Sequence, residues 1–168
     1  DLLRFLWELG QQGVAGTDGD RVVHRWEVLD PLPQNIDRVD PDVFVADAAT
    51  RRDLTWEPAY SRLSGAVDLE TAIIVPPSDL RVVRCTFEAT AAGTVAIRLN
   101  ATDGLRLWLD GAPVAVEKLS SLRLEPGLHT LSFWVKLANR GDKSLSCEIV
   151  PTGETPAKVN LRPAMTVP

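Results

Sequence analysis

The residues best suited to chemistry are two tryptophans and the polar side chains beside them. Trp108 and Trp134 are each out of phase with the apolar residues of their own predicted strands, so both rings should lie on one outer face of a sheet. Tryptophan rings stack well on sugar rings, and Arg106 and Asp110 could supply hydrogen bonds. These four residues, together with Asp103, are the candidate ligand-binding residues.

The same face permits a second arrangement. The segment 30–60, which contains Trp56 and Tyr60, could fold over Trp108 and Trp134 and bury both rings as a second small core. A large exposed apolar patch is unusual on a monomer. A third possibility is that a neighbouring domain docks on this face.

No catalytic constellation is present in the sequence. The two histidines, His24 and His129, have no other histidine near them in the chain, whereas a zinc site needs three or four converging ligands. The chain has no Gly-x-Ser-x-Gly motif and no Walker or Rossmann glycine loop. We therefore expect no enzyme activity and no metal site, and we expect His129 to be a surface residue of a strand.

The two cysteines, Cys85 and Cys147, both fall on inward positions of their predicted strands. They would form one disulfide if those strands are neighbours, and an exported protein would favour the bridge. Two separate buried thiols would fit a core equally well. The sequence leaves both possibilities open.

The elements that carry these residues are predicted to be antiparallel strands. From residue 63 onward, apolar residues alternate with polar ones, as in residues 82–89 (VVRCTFEA), and turns recur every few residues. Asp110-Gly111 is a hairpin signal. This pattern predicts an all-β antiparallel β-sandwich, a jelly roll, over residues 21–168.

Residues 1–20 have a different pattern. A short N-terminal helix is expected at residues 1–10, followed by a linker rich in glycine, and together they form the possible tail of an upstream domain. The chain begins with Asp1 and its one methionine is Met165, so we expect either a processed product or a piece cut from a longer polypeptide. Residues 30–60 are expected to form a long solvated loop with a short helical turn.

Composition excludes several classes of protein. The chain has 168 residues, 45% of them hydrophobic, and a net charge of −5, which is ordinary for a folded domain. Its mild acidity argues against nucleic-acid binding, which needs a basic face. The apolar runs are too short to span a bilayer, so no membrane span is expected.

Two motifs resemble a known family. Residues 102–111 (TDGLRLWLDG) and 122–131 (LRLEPGLHTL) resemble the central strands of the protective-antigen-type sugar-binding domain. Residues 25–32 (RWEVLDPL) are similar to the opening of galactose-binding-like jelly rolls. The resemblance implies a jelly roll that binds carbohydrate. In sugar-binding members two adjacent aspartates hold calcium, and here Thr102 replaces the first, which leaves Asp103 as a weak calcium candidate.

The opening segment has a resemblance of its own. Residues 1–10 (DLLRFLWELG) resemble the closing helix of a c-type cytochrome domain, as in large modular heme-binding exported bacterial proteins. This implies an exported protein, periplasmic or extracellular, with a neighbouring cytochrome-like domain. The chain itself lacks Cys-x-x-Cys-His, so we expect no heme attached to it and no other cofactor.

These observations leave two hypotheses for the function. The first is a non-catalytic accessory module that binds carbohydrate through the tryptophan face. The second is a structural or interaction module that docks on or caps a neighbouring domain of the same polypeptide without binding a small ligand. Burial of Trp108 and Trp134 beneath residues 30–60 favours the second hypothesis, and exposure of both beside a groove favours the first.

Overall fold

The computed structural model describes residues 21–71, 74 and 76–161 of the chain. The helix and linker expected at residues 1–20 lie outside the described residues, as do residues 162–168. The strands are β1 (Arg25–Leu29), β2 (Trp56–Tyr60), β3 (Val67–Asp68), β4 (Leu80–Ala91), β5 (Gly93–Leu99), β6 (Leu105–Leu109), β7 (Ala112–Val114), β8 (Leu122–Leu124), β9 (Gly127–Lys136), β10 (Ser144–Leu145), β11 (Cys147–Thr152) and β12 (Lys158–Asn160). One α-helix, α1 (Pro41–Ala48), and 3-10 turns at Ile36–Arg38, Val116–Lys118 and Leu137–Asn139 complete the described elements.

The strands form two principal sheets. The larger has the order β2-β1-β4-β9-β6-β7, and β12 also pairs with β4. The smaller has the order β11-β5-β8, and β3 forms a separate pair with β10. The pairings between these strands are antiparallel. The antiparallel β-sandwich predicted from the sequence is confirmed.

The alternation read from the sequence determines which side chains enter the core. Val83 of β4 lies opposite Phe133 of β9, which in turn lies opposite Leu107 of β6, and all three are buried. Ile97 and Ile149, which face each other on β5 and β11, belong to the same apolar cluster. One core is therefore shared by the inner faces of both sheets.

The hairpin between β6 and β7 confirms the turn signal at Asp110-Gly111. Leu109 pairs with Ala112, so the loop has two residues, and the φ angles of Asp110 and Gly111 are 51° and 81°. A two-residue hairpin turn of this kind requires positive φ at both positions, which aspartate and glycine adopt most readily.

The segment between β1 and β2 is more ordered than the solvated loop that the sequence predicts. It contains the expected helical turn, as α1, but Ile36, Phe44, Val45 and Ala48 are buried. Asp40 caps α1 through its side chain, which accepts a hydrogen bond from the backbone N–H of Asp42. Capping by aspartate and a proline at the first helical position both favour helix initiation here.

Within the described part of the chain, no helix is long and apolar enough to cross a membrane.

Candidate functional site

The tryptophan face, defined as the outer side of β6 and β9 around Trp108, Trp134 and Arg106, lies beneath α1. Arg106 pairs with Trp134 and Trp108 with Ser132 across the two strands. Trp108 is fully buried and Trp134 is 6% exposed. Phe44 of α1 packs edge-on against Trp134, with ring centroids 5.9 Å apart. The face is therefore the floor of a second small core.

Asp42, in the first turn of α1, attaches the helix to this face. Its Oδ1 accepts a hydrogen bond from Trp108 Nε1 at 3.0 Å and one from Arg106 Nη2 at 2.7 Å. The Arg106 guanidinium also lies over the Trp108 ring, 5.2 Å from its centroid. One carboxylate thus occupies the indole N–H of Trp108 and one nitrogen of the Arg106 guanidinium, whose side chain stays 51% exposed.

The candidate residues Trp108, Trp134 and Arg106 are consequently brought together, but against α1. Stacking on a sugar needs an open ring face, and both rings are covered. Of the arrangements that the sequence left open, the structure has the one in which part of segment 30–60 buries both tryptophans. Tyr60 does not take part in this cover, because its side chain is 72% exposed.

Asp110 is joined to a histidine that sequence reasoning placed at the surface. His129 Nδ1 lies 2.6 Å from Asp110 Oδ2, and His129 Nε2 lies 2.7 Å from the carbonyl oxygen of Glu125. The His129 side chain is 11% exposed and the residue is partly buried, so this histidine of β9 is less exposed than a surface position implies. Asp110 Oδ1 accepts a further hydrogen bond from the backbone N–H of Thr130.

Both partners of His129 accept hydrogen bonds and cannot donate them when Asp110 is ionised. The imidazolium form, which donates from both nitrogens, satisfies the site completely. Burial opposes the charge, but the hydrogen bonds to Glu125 and Asp110 outweigh it and raise the pKa of His129. Asp110 and His129 therefore tie the β6–β7 turn to β9.

Asp103 lies in a loop that is organised by a buried arginine. The Arg140 side chain is fully buried, and its guanidinium donates to the carbonyl oxygens of Ala101, Asp103 and Ser144 and to Asn100 Oδ1. These four oxygens converge on one cation, as ligands do around a metal ion.

The same loop does not fit a calcium ion in the manner of the resembling family. Asp103 Oδ2 accepts the backbone N–H of Gly141 at 2.9 Å, and the backbone oxygen of Asp103 already accepts from Arg140. Calcium requires about six to eight free oxygen ligands, and Thr102 supplies no carboxylate. Nowhere in residues 21–71, 74 and 76–161 do three or more His, Cys, Asp or Glu side chains group in a way that could hold a metal ion.

Cys85 and Cys147 are two free thiols in the core. Cys147 is fully buried and Cys85 is 2% exposed. Burial raises the pKa of the Cys85 thiol to about 12 and also raises that of Cys147. Of the two states left open by the sequence, the structure has the separate thiols. A thiol with a raised pKa and no access to solvent is a poor nucleophile.

The comparisons with known proteins add no assignment: no family model, no curated protein and no solved structure matches this chain.

Sequence reasoning missed a cleft, which we call the β2 cleft, that is large enough to receive another molecule. It has a volume of about 460 Å³ and is lined by Val28, Asp30, Glu57, Pro58, Ala59, Tyr60, Arg62, Ala66, Val67, Asp68, Thr71 and Ile74. Ligand sites commonly have volumes of about 300–1,000 Å³. No sequence signal marks this cleft, because its walls come from three segments that only the fold brings together.

The inner-face side chains of β1 and β2 form one wall of the β2 cleft. Val28 lies directly opposite Glu57, and Trp26 directly opposite Ala59, and residues that are directly opposite in an antiparallel pair project to the same side of the sheet. Val28 and Trp26 are buried, which identifies that side as the inner one. Val67 and Asp68 of β3 also line the cleft.

Proposed function

We propose that this chain is a non-catalytic accessory module of a larger exported protein, and that it acts through contact with neighbouring protein. The observation that supports this choice over sugar binding is the burial of Trp108, whose indole N–H is donated to Asp42. The face with the best residues for stacking on a sugar is used for internal packing. Export and membership of a larger polypeptide rest on the resemblance of residues 1–10 and 102–111 to modular bacterial proteins.

Exposed apolar side chains support a role in protein contacts. Leu63 is fully exposed, and Tyr60, which lines the β2 cleft and lies within four residues of Leu63 in the chain, is 72% exposed. Val43, on the solvent side of α1, is also exposed. Apolar side chains at the surface contribute most when a partner covers them.

The first test is a titration with a panel of mono- and oligosaccharides, with and without calcium. The readout is the NMR resonances of the indole N–H groups of Trp108 and Trp134. We expect no saturable shift at millimolar sugar, because both rings are covered. A saturable shift of either resonance would overturn the proposal in favour of sugar binding at the tryptophan face.

The second test compares thermal unfolding of this chain alone with unfolding of the full-length polypeptide. A module that docks on its neighbour is stabilised by that contact, so its transition should occur at a higher temperature in the full-length protein. An identical transition in both contexts would show that the module is independent of its neighbour and would contradict the proposal.

A further inference from the structure

The β2 cleft lies at the edge of the larger sheet, where β2 is the last strand. The hydrogen bonds from Ser61 N to His24 O and from Asp30 N to Thr55 O bracket the β1–β2 ladder. Between these two bonded pairs, hydrogen-bonded and non-hydrogen-bonded pairs alternate along the ladder. Pro58 lies opposite Glu27 in a non-hydrogen-bonded pair, so its backbone points away from β1 towards the free edge of the sheet. Proline has no N–H, and this edge is a poor template for an added strand.

A molecule that enters the cleft should therefore bind through a side chain or an equally compact group. The walls offer apolar surface for such a group, because Val28, Val67 and Ile74 are buried residues that line the cleft. Apolar walls of this kind suit a methylene stem.

The charged groups of the cleft determine the sign of the ligand. The carboxylates of Glu57 and Asp68 line it together with the single guanidinium of Arg62. Asp30 also lines the cleft but already interacts with another group. This excess of negative charge disfavours anions and favours a cation.

Asp68 is already oriented towards a cation. Its Oδ1 accepts hydrogen bonds from the backbone N–H groups of Glu70 and Thr71 at 3.0 and 3.3 Å, which fixes the carboxylate. Its Oδ2 lies 3.5 Å from Arg62 Nη2. The Arg62 side chain is 76% exposed, so this ion pair is weak and a competing cation can replace it.

Glu57 provides the unpaired charge. Its carboxylate forms no hydrogen bond or ion pair with any residue in the described part of the chain. It projects to the same side as Val28 and lines the same cleft as Asp68. A cationic group on a methylene stem would contact the apolar wall with its stem and a carboxylate with its head.

We propose that the β2 cleft binds a basic side chain, that of a lysine or arginine, presented by a neighbouring protein surface. This inference rests on the proposed function and names the chemistry of the contact through which the module acts. Arg62 occupies the rim of the cleft in the free module and is the group that the incoming cation displaces from Asp68.

The test uses this chain and the blocked tripeptide acetyl-Gly-Lys-Gly-amide at low salt, with the backbone amide resonances of Glu57, Val67 and Asp68 as the readout. We expect saturable shifts confined to the cleft, which weaken as salt is added. The same peptide with an acetylated lysine ε-amine should produce none of them.

Three variants separate the cleft from general electrostatics. Glu57→Gln should weaken peptide binding by up to about fivefold, as for a partly exposed ion pair. Arg62→Gln should strengthen binding by a similar factor, because it removes the competing cation. Glu117→Gln, at an exposed position in a 3-10 turn away from the cleft lining, is the matched control and should bind as the parent chain does.

The proposal is overturned if the lysine peptide gives no saturable shift at tens of millimolar, or if Glu57→Gln behaves as Glu117→Gln does. It is also overturned if a neutral sugar shifts the cleft resonances and the peptide does not. The thermal comparison with the full-length polypeptide distinguishes these failures from failure of the proposed function: a shifted transition without peptide binding leaves the interaction role intact and moves the contact elsewhere.

Discussion

Arg140 carries the most completely buried charge among the described side chains that form ion pairs. Its hydrogen-bond acceptors are neutral oxygens, and the nearest carboxylate, that of Asp103, lies 4.0 Å away. Burial lowers the pKa of the Arg140 guanidinium, partly offset by the charges of Asp103 and Asp142, yet an arginine stays protonated at any physiological pH. The guanidinium is thus a permanent charge that organises two loops.

Replacing Arg140 by methionine should destabilise the fold by roughly 3 kcal/mol, because four part-buried acceptors lose their donors at once and a buried acceptor left without a donor costs about 1–3 kcal/mol. Urea unfolding of Arg140→Met measures the effect. Arg98→Met, at a position 68% exposed, is the control and should change the free energy of unfolding by less than about 0.5 kcal/mol. Equal effects of the two substitutions would refute this account of the loop.

His129 should make stability depend on pH. The pKa of His129 is raised in the folded state from its ordinary value of 6.5, so its contribution is fully present below about pH 6.5. That contribution is lost as pH rises through the folded-state pKa. The free energy of unfolding should therefore fall over this interval, as followed by urea titrations at a series of pH values.

The matched variant for this prediction is His129→Gln, which keeps a polar side chain but cannot take up a proton. Its free energy of unfolding should vary less over the same pH interval. A parent protein whose stability is flat, or rises, across that interval would contradict the assignment of a doubly donating imidazolium.

Sequence reasoning identified the types of these residues and missed their partners. The phase of Trp108 and Trp134 correctly placed both rings on the outer face, because alternation is a local property of a strand. The environment of His129 depends on Asp110 and on the backbone of Glu125, which belong to other turns. No local sequence pattern predicts the contacts of His129 with Asp110 and Glu125, so they could not be predicted from the sequence.

At the scale of single elements, α1 is held on the sheet by the Asp42 carboxylate, by the contact of Phe44 with Trp134 and by the burial of Val45 and Ala48. Replacing Asp42 by alanine should cost about 1–3 kcal/mol, since the indole N–H of Trp108 is then buried without an acceptor. Unfolding in urea gives the change in stability. A red shift of tryptophan emission would accompany it if the helix lifts from the tryptophan face.

The control for Asp42 is Asp47→Ala on the same helix, at an exposed position whose side chain has no hydrogen bond to another described residue. It should leave both stability and emission close to those of the parent. If Asp42→Ala were as mild as Asp47→Ala, the helix would be held by Phe44 and its apolar neighbours alone.

Gly93, at the start of β5, permits a close crossing of two backbone segments. A Cβ at this position would lie 2.5 Å from the carbonyl carbon of Pro156 and 2.5 Å from the carbonyl oxygen of Thr155. Gly93→Ala should therefore destabilise the fold by about 1–3 kcal/mol through overpacking. Gly141→Ala, where a Cβ would meet nothing within 4 Å, should be close to neutral in the same thermal unfolding assay, and a similar loss for both would contradict the steric argument.

Among the elements, the strands could be predicted from the sequence, but the packing of α1 on the tryptophan face could not. Residues 82–89 and 105–109 follow a period of two because one side of each strand faces a shared core. The short helical turn expected within residues 30–60 is present as α1, which Asp40 caps and Pro41 begins. Its docking depends on Asp42 meeting Trp108, a contact across 66 positions of the chain, and the sequence has no signal for it.

At the scale of the whole molecule, the two thiols report on the integrity of the sandwich. Cys85 and Cys147 lie on strands of different sheets, and both belong to the shared core. An aromatic disulfide reagent should label neither in the native state, and the labelling rate should follow the rate at which the protein opens. Fast labelling under native conditions, compared with a fully unfolded control in urea, would show that the core is accessible.

Arg140 has one more consequence for the molecule as a whole. If a dissociable ion held the loop of Asn100 and Asp103, the fraction of molecules with an occupied site would depend on the ion's concentration and affinity. The geometry of that loop would then depend on the ion concentration. A guanidinium tethered to the chain is present in every copy at every dilution. Chelation, dialysis or a change of compartment cannot remove it, so the loop keeps its geometry wherever the folded domain is found.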